Sequence, residues 1–125
     1  AATEKTYKKI VRYGSYKNVL KNLEWLSNEK TSGALQGITL VFVIHNLNYR
    51  EIPDFIQLAE RYNASAGFSC FTYWDTLFGS KFEETEVWNP NHPEYKDFLS
   101  IINTPIVKQH ASCFQDAISS LINKD

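Results

Sequence analysis

The chain has 125 residues, 43% hydrophobic and 22% charged, which fits one globular domain at most and argues against disorder. With 13 basic and 14 acidic residues the net charge is −1, so the positive excess that drives binding to phosphate backbones is missing and nucleic acid is not an expected partner. No stretch approaches the about 20 apolar residues of a membrane span and no apolar signal core opens the chain, so the expectation is a soluble, cytoplasmic protein.

Residues 1–14 have weak periodicity and close on Arg12, Tyr13 and Gly14, a turn; Lys5, Lys8 and Lys9 read as solvated surface. The opening Ala1-Ala2 reads as a cloning remnant or as the point where a longer chain was cut. Ser15 predicts the cap of a helix that runs to about Lys30, with Tyr16, Val19, Leu20, Leu23 and Leu26 as its apolar stripe. Gly33 and Gly37 break the chain. Residues 38–44 are then an almost unbroken apolar, β-branched run, the pattern of a strand covered on both faces. Asn48 is expected to cap the next helix, whose first turn holds Glu51 and Pro53, and Ile52, Phe55, Ile56, Ala59 and Tyr62 repeat at helical spacing. Residues 66–73 read as a second strand, which makes a parallel strand, helix, strand crossover. A long irregular, aromatic piece over about 74–91 reads as a lid or packing element. Asn91 and Pro93 open a helix carrying Phe98, Ile101 and Ile102, which stops at Asn103-Thr104-Pro105. A last helix over about 107–123 turns Phe114, Ile118, Leu121 and Ile122 inward, with Cys113 in its stripe.

Four helices therefore face two strands, and a lone parallel pair is not a stable sheet. Three solutions are open. The first twelve residues supply a third strand, or chains pair through exposed strand edges, or the chain is the tail of a larger parallel α/β domain. The element order is that of a β/α barrel cut just after one of its middle strands.

The stretches "RYGSYKNVLKNLEWL", "FVIHNLNYREIPDFIQLAERYNA" and "VWNPNHPEYKDFL" together resemble the latter half of the core of radical S-adenosylmethionine enzymes, over roughly residues 7–100. The resemblance implies an α/β fold that is a fragment of a partial (β/α)6 TIM-like barrel, the two strands being its fifth and sixth. It also implies S-adenosylmethionine and a [4Fe-4S] cluster as cofactors of the parent enzyme, and hydrogen abstraction through a 5′-deoxyadenosyl radical. Related proteins often modify peptides or proteins, so a peptide or protein substrate is implied. The chain departs from the family at the cluster: there is no CxxxCxxC, and Cys70 and Cys113 are two thiols where the cluster takes three. The segment alone is expected to bind no cluster and to be inactive.

By the same resemblance, Arg12 pairs with the carboxylate of S-adenosylmethionine, which a planar guanidinium matches bidentately; a plain surface arginine is the alternative. His45 and Asn46 stand at the C-terminal end of the first strand, where parallel α/β folds place ligands, and alternation lets only one of them face the cavity. Phe71 is a candidate for packing against adenine, with core packing as an equal alternative. Tyr73, Trp74 and Asp75 could face substrate. Asn48 reads as a helix cap, as does either Asn91 or His92, and Cys70 as a small core residue. A second reading of the whole chain is a small non-enzymatic α/β binding or assembly module that self-associates and uses the aromatic loop around Trp74 and Trp88 as an interface.

Overall fold

In the computed structural model, which describes residues 1–11, 13–71 and 81–123, the chain opens with a helix. Helix α1 (Glu4–Ile10) is capped by Thr3, whose side chain accepts from the Thr6 N–H. The first residues are thus helical and add no third strand. Helix α2 (Tyr16–Thr31) follows its expected cap, Ser15 accepting from the Asn18 N–H. Only part of its apolar stripe is used: Leu23 is buried and Leu20 touches the core, while Trp25 is 61% exposed. Gly33, at φ +88°, reverses the chain just past the helix, a left-handed conformation that suits glycine.

Strand β1 (Thr39–Ile44), helix α3 (Ile52–Arg61) and strand β2 (Ser65–Cys70) form the expected crossover, and the strands pair in parallel from Thr39↔Ser65 to Ile44↔Cys70. A 3₁₀ turn (Tyr49–Glu51) leads into α3. Phe42, Ile44, Ala66 and Phe68 point to one face and are buried against α3. The aromatic centre is dense: Phe42 and Phe55 lie 4.8 Å apart edge to face, and Phe68 stacks on Phe114 at 4.3 Å.

No described element packs over the opposite face. Val41 and Val43 are 66% and 41% exposed, Thr39 and Ser65 are exposed, and Gly67 and Ser69 are half-buried. Cover on both faces, expected from the apolar run, is therefore corrected. An unbroken run states that both faces are apolar, but whether a layer lies on each is set by the other elements.

Beyond β2, residues 72–80 lie outside the described residues. Short helices α4 (Phe82–Thr85), α5 (Tyr95–Ile102) and α6 (Pro105–Gln109) follow, then a 3₁₀ turn (Ala111–Cys113) and α7 (Asp116–Ser119). Pro93 sits in a turn ahead of α5 rather than in its first turn, with Glu94 as the N-cap. The single last helix expected over 107–123 is broken at Phe114, which leaves the helical path and makes a parallel bridge to Phe68. Stacking an aromatic ring on the core and bonding the sheet edge outweigh helix continuity there. The described residues thus hold seven α-helical segments and a two-stranded parallel sheet. No described helix is long and apolar enough to cross a membrane.

Candidate functional site

The two outer edges of the sheet are treated differently. Because backbone groups alternate along a parallel strand, Ala66, Phe68 and Cys70 direct theirs away from β1. Gln115 meets them: its N–H donates to the Phe68 carbonyl at 3.1 Å, and its Oε1 accepts from the Cys70 N–H at 2.8 Å. On β1 the outward groups belong to Thr39, Val41 and Val43. Asn48 takes the last of these, its Nδ2 donating to the Val43 carbonyl at 2.8 Å while its Oδ1 accepts from the His45 N–H at 3.0 Å. A carboxamide reproduces the donor and acceptor of a peptide group, so Asn48 stands in for a strand neighbour. The helix-cap role expected for Asn48 is corrected, since its side chain makes no cap bond to the following turn. Thr39 and Val41 have no strand on their outer side among the described residues.

At the C-terminal end of the strands lies an open cleft of about 760 Å³, lined by Asn46, by Glu83, Glu84 and Glu86 of the α4 region, and by Asn89 and residues 91–94 before α5. Of the residues marked from sequence, Asn46 lies on this wall and is half-buried. His45, its neighbour in the chain, is not part of the lining; it is 9% exposed, with Nδ1 accepting from the Leu47 N–H and its ring 5.8 Å from that of Phe71, edge to face. Burial lowers the His45 imidazole below its ordinary range, the terminal ammonium adds to this, and a hydrogen bond to Asn46 opposes it. Phe71 extends the ladder, its N–H donating to the Ile44 carbonyl, and stacks on Phe82 at 6.4 Å. His45, Asn46 and Phe71 thus come together at one end of the sheet. Arg12, Thr72, Tyr73, Trp74 and Asp75 lie outside the described residues.

Two side-chain networks hold the cleft wall. Tyr49, fully buried, donates its hydroxyl to Asp97 at 2.5 Å and approaches Glu94 at 3.2 Å. Arg50 lies 4.5 Å over the Tyr49 ring and pairs with Glu94 at 2.7 Å and Asp97 at 3.0 Å. This joins the turn after β1 to the start of α5. His92 ties the other side, its Nε2 on the Glu84 carbonyl at 2.9 Å and its Nδ1 accepting from the Glu94 N–H at 3.0 Å. The helix-cap role expected for His92 is corrected: Glu94 is the N-cap of α5, without a side-chain cap bond, and the His92 contact to the Glu94 N–H lies ahead of the helix. Its reach to Glu84 is not legible in the sequence, because that bond depends on how the 84–92 loop folds back. Nor is the acidic wall, since glutamates in a loop read as surface.

The residues do not fit an iron–sulfur cluster. Cys70 lies on β2 and Cys113 in the last 3₁₀ turn, and burial with the nearby Glu86 carboxylate pushes the Cys70 thiol up to about 11, away from the thiolate a cluster needs. Among the described residues no group of three or more His, Cys, Asp or Glu side chains is placed to hold a metal ion. No protein-family model, no curated protein and no solved structure matches the chain.

Proposed function

We propose that the chain is the C-terminal part of a radical S-adenosylmethionine core, in which an N-terminal half holds the cluster and Asn46, His45 and Phe71 wall the far side of the cofactor cavity. Arg12 is the partner of the cofactor carboxylate in this reading. The observation that carries it is the one-sided sheet. Gln115 and Phe114 occupy the outer edge of β2, which fits a terminal strand, whereas β1 leaves Thr39 and Val41 open to a further strand. The bare face of Val41, Val43, Gly67 and Ser69 is the face that a barrel would turn inward, and its strand ends meet the cleft. When bound, the cofactor supplies hydrogen abstraction through a 5′-deoxyadenosyl radical; this chain's share is to wall and orient it. Alone, with two cysteines and part of a cavity, the chain is expected to be inactive, and a peptide or protein is the proposed substrate class.

The test is to read the frame that precedes Ala1 over about 150 residues, the length four strand and helix units need, and to express the whole. A CxxxCxxC together with cleavage of S-adenosylmethionine that falls on Arg12→Ala supports the reading. A frame without the three cysteines overturns it.

The free β1 edge also favours a second reading, a small self-associating α/β module. Thr39 to Val43 carry no charge, proline or bulge, the devices that keep edges apart, and two copies related by a two-fold axis would pair antiparallel about Val41. The Val41 N–H points away from β2, so Val41→Pro leaves the internal ladder intact and removes an edge donor. Sedimentation of a dimer that becomes a monomer on Val41→Pro supports this reading, and a wild-type monomer rejects it.

A further inference from the structure

We propose that His92 is a pH-operated clamp on the acidic wall of the cleft. The imidazole bridges two backbone positions ten residues apart, the Glu84 carbonyl and the Glu94 N–H. Both bonds hold together in one protonation state only: Nε2 must carry a hydrogen to donate to the carbonyl, and Nδ1 must keep its lone pair to accept from the amide. Proton uptake at Nδ1 sets two N–H donors face to face at the 3.0 Å contact with Glu94, and that bond is lost.

The surroundings give the protonated ring somewhere to go. Glu83, Glu84 and Glu86, from α4 and the loop beyond, and Glu94, at the start of α5, line the same cleft as His92. No lysine or arginine lines the cleft among the described residues. Arg50, on the turn after β1, is held by Glu94 and Asp97; Lys81 at the N-cap of α4 and Lys96 on α5 are exposed and do not line the cleft; and the end of β1 brings Asn46 to the lining, with the buried His45 before it in the chain. An imidazolium released from the Glu94 amide therefore meets carboxylates, so the ring has two arrangements: a neutral one bonded to backbone that holds the 84–94 loop closed, and a charged one paired with side chains that lets it open. Acid opens the cleft wall. The inference rests on these contacts and stands whether or not the chain belongs to a radical enzyme.

The test is an NMR titration of the full chain from about pH 7.5 to about pH 5.5, which spans the histidine range. His92 is expected as the Nε2–H tautomer at the upper end, and the Glu94 amide is expected to lose hydrogen-exchange protection by about tenfold, beyond the intrinsic pH effect, in step with the His92 ring. In His92→Asn, whose carboxamide still accepts from the Glu94 amide and does not titrate, the protection should not change over that range. A Glu94 amide that stays protected while His92 titrates, or that follows the His45 or His110 ring instead, overturns the proposal. So does the same loss in His92→Asn, and the wild-type titration decides even where that variant does not fold.

Discussion

Asn48 separates two physical accounts of one residue. As a helix N-cap it would tolerate aspartate, because Asn and Asp cap about equally well. As the surrogate neighbour of β1 it would not. The carboxylate of Asn48→Asp keeps the acceptor for the His45 N–H but points an acceptor at the Val43 carbonyl, where the wild-type Nδ2 donates at 2.8 Å. Asn48 is 5% exposed, so water does not readily replace the lost donor. Two hydrogen bonds of about 1 kcal/mol each, with a buried His45 N–H left unpaired, put Asn48→Ala at about 2–3 kcal/mol, and Asn48→Asp at about 2 kcal/mol near neutral pH. With a urea slope of about 1–3 kcal/mol/M, the unfolding midpoint should fall by about 1 M in either variant with the slope unchanged. Asn48→Asp as stable as wild type in that experiment would refute the strand-edge account and restore the cap.

Glu51 accepts from the Ala2 N–H and from the Thr3 and Thr6 hydroxyls, fastening the first residues to the N-terminus of α3. Burial works to raise its carboxyl, yet these bonds outweigh it and hold it below the usual carboxylate value. The folded-state value lies under the unfolded one, so the stabilisation is whole above about pH 4.5 and fades as the pH falls through the folded value; Glu51→Gln should lower the neutral-pH urea midpoint and flatten this acid decline. Tyr49→Phe removes the hydroxyl that bridges Asp97 and Glu94, and a loss of about 1–2 kcal/mol by denaturant titration is expected. Phe114→Ala, at a 6% exposed ring stacked on Phe68, should cost about 3–5 kcal/mol, against about 0.5 kcal/mol or less for Val41→Ala on the bare face. Equal losses from these two would mean that the bare face is covered in solution.

The crossover was legible because its signals are local. The β-branched run at 38–44, the stripe of Ile52, Phe55, Ile56 and Ala59, and the short segment after it each carry their own periodicity, and the structure places β1, α3 and β2 within a residue or two at most boundaries. The α1 helix escaped because seven residues capped by Thr3 bury nothing fully, so no apolar period marks them. The break at Phe114 escaped for the opposite reason. Phe114, Ile118 and Ile122 do repeat at helical spacing and all are buried, but the partner that draws Phe114 off the helix is Phe68, far away in sequence. At the candidate site, the strand-end position of His45 and Asn46 followed from the crossover alone, whereas Phe71, read as lying within the second strand, falls just past its end, and the acidic wall and its His92 clamp depend on the folded course of residues 81–94.

By itself, then, the sequence determined that a parallel crossover forms, that its first strand is apolar on both faces, and that polar groups gather where that strand ends. Periodicity and capping encode these between residues a few positions apart. Only the tertiary structure decided that one face of the sheet is left bare, and that Gln115 closes the β2 edge while Asn48 closes only the end of β1. Edge and face are settled by backbone hydrogen bonds and layers from elsewhere in the chain, whose alignment no local pattern records.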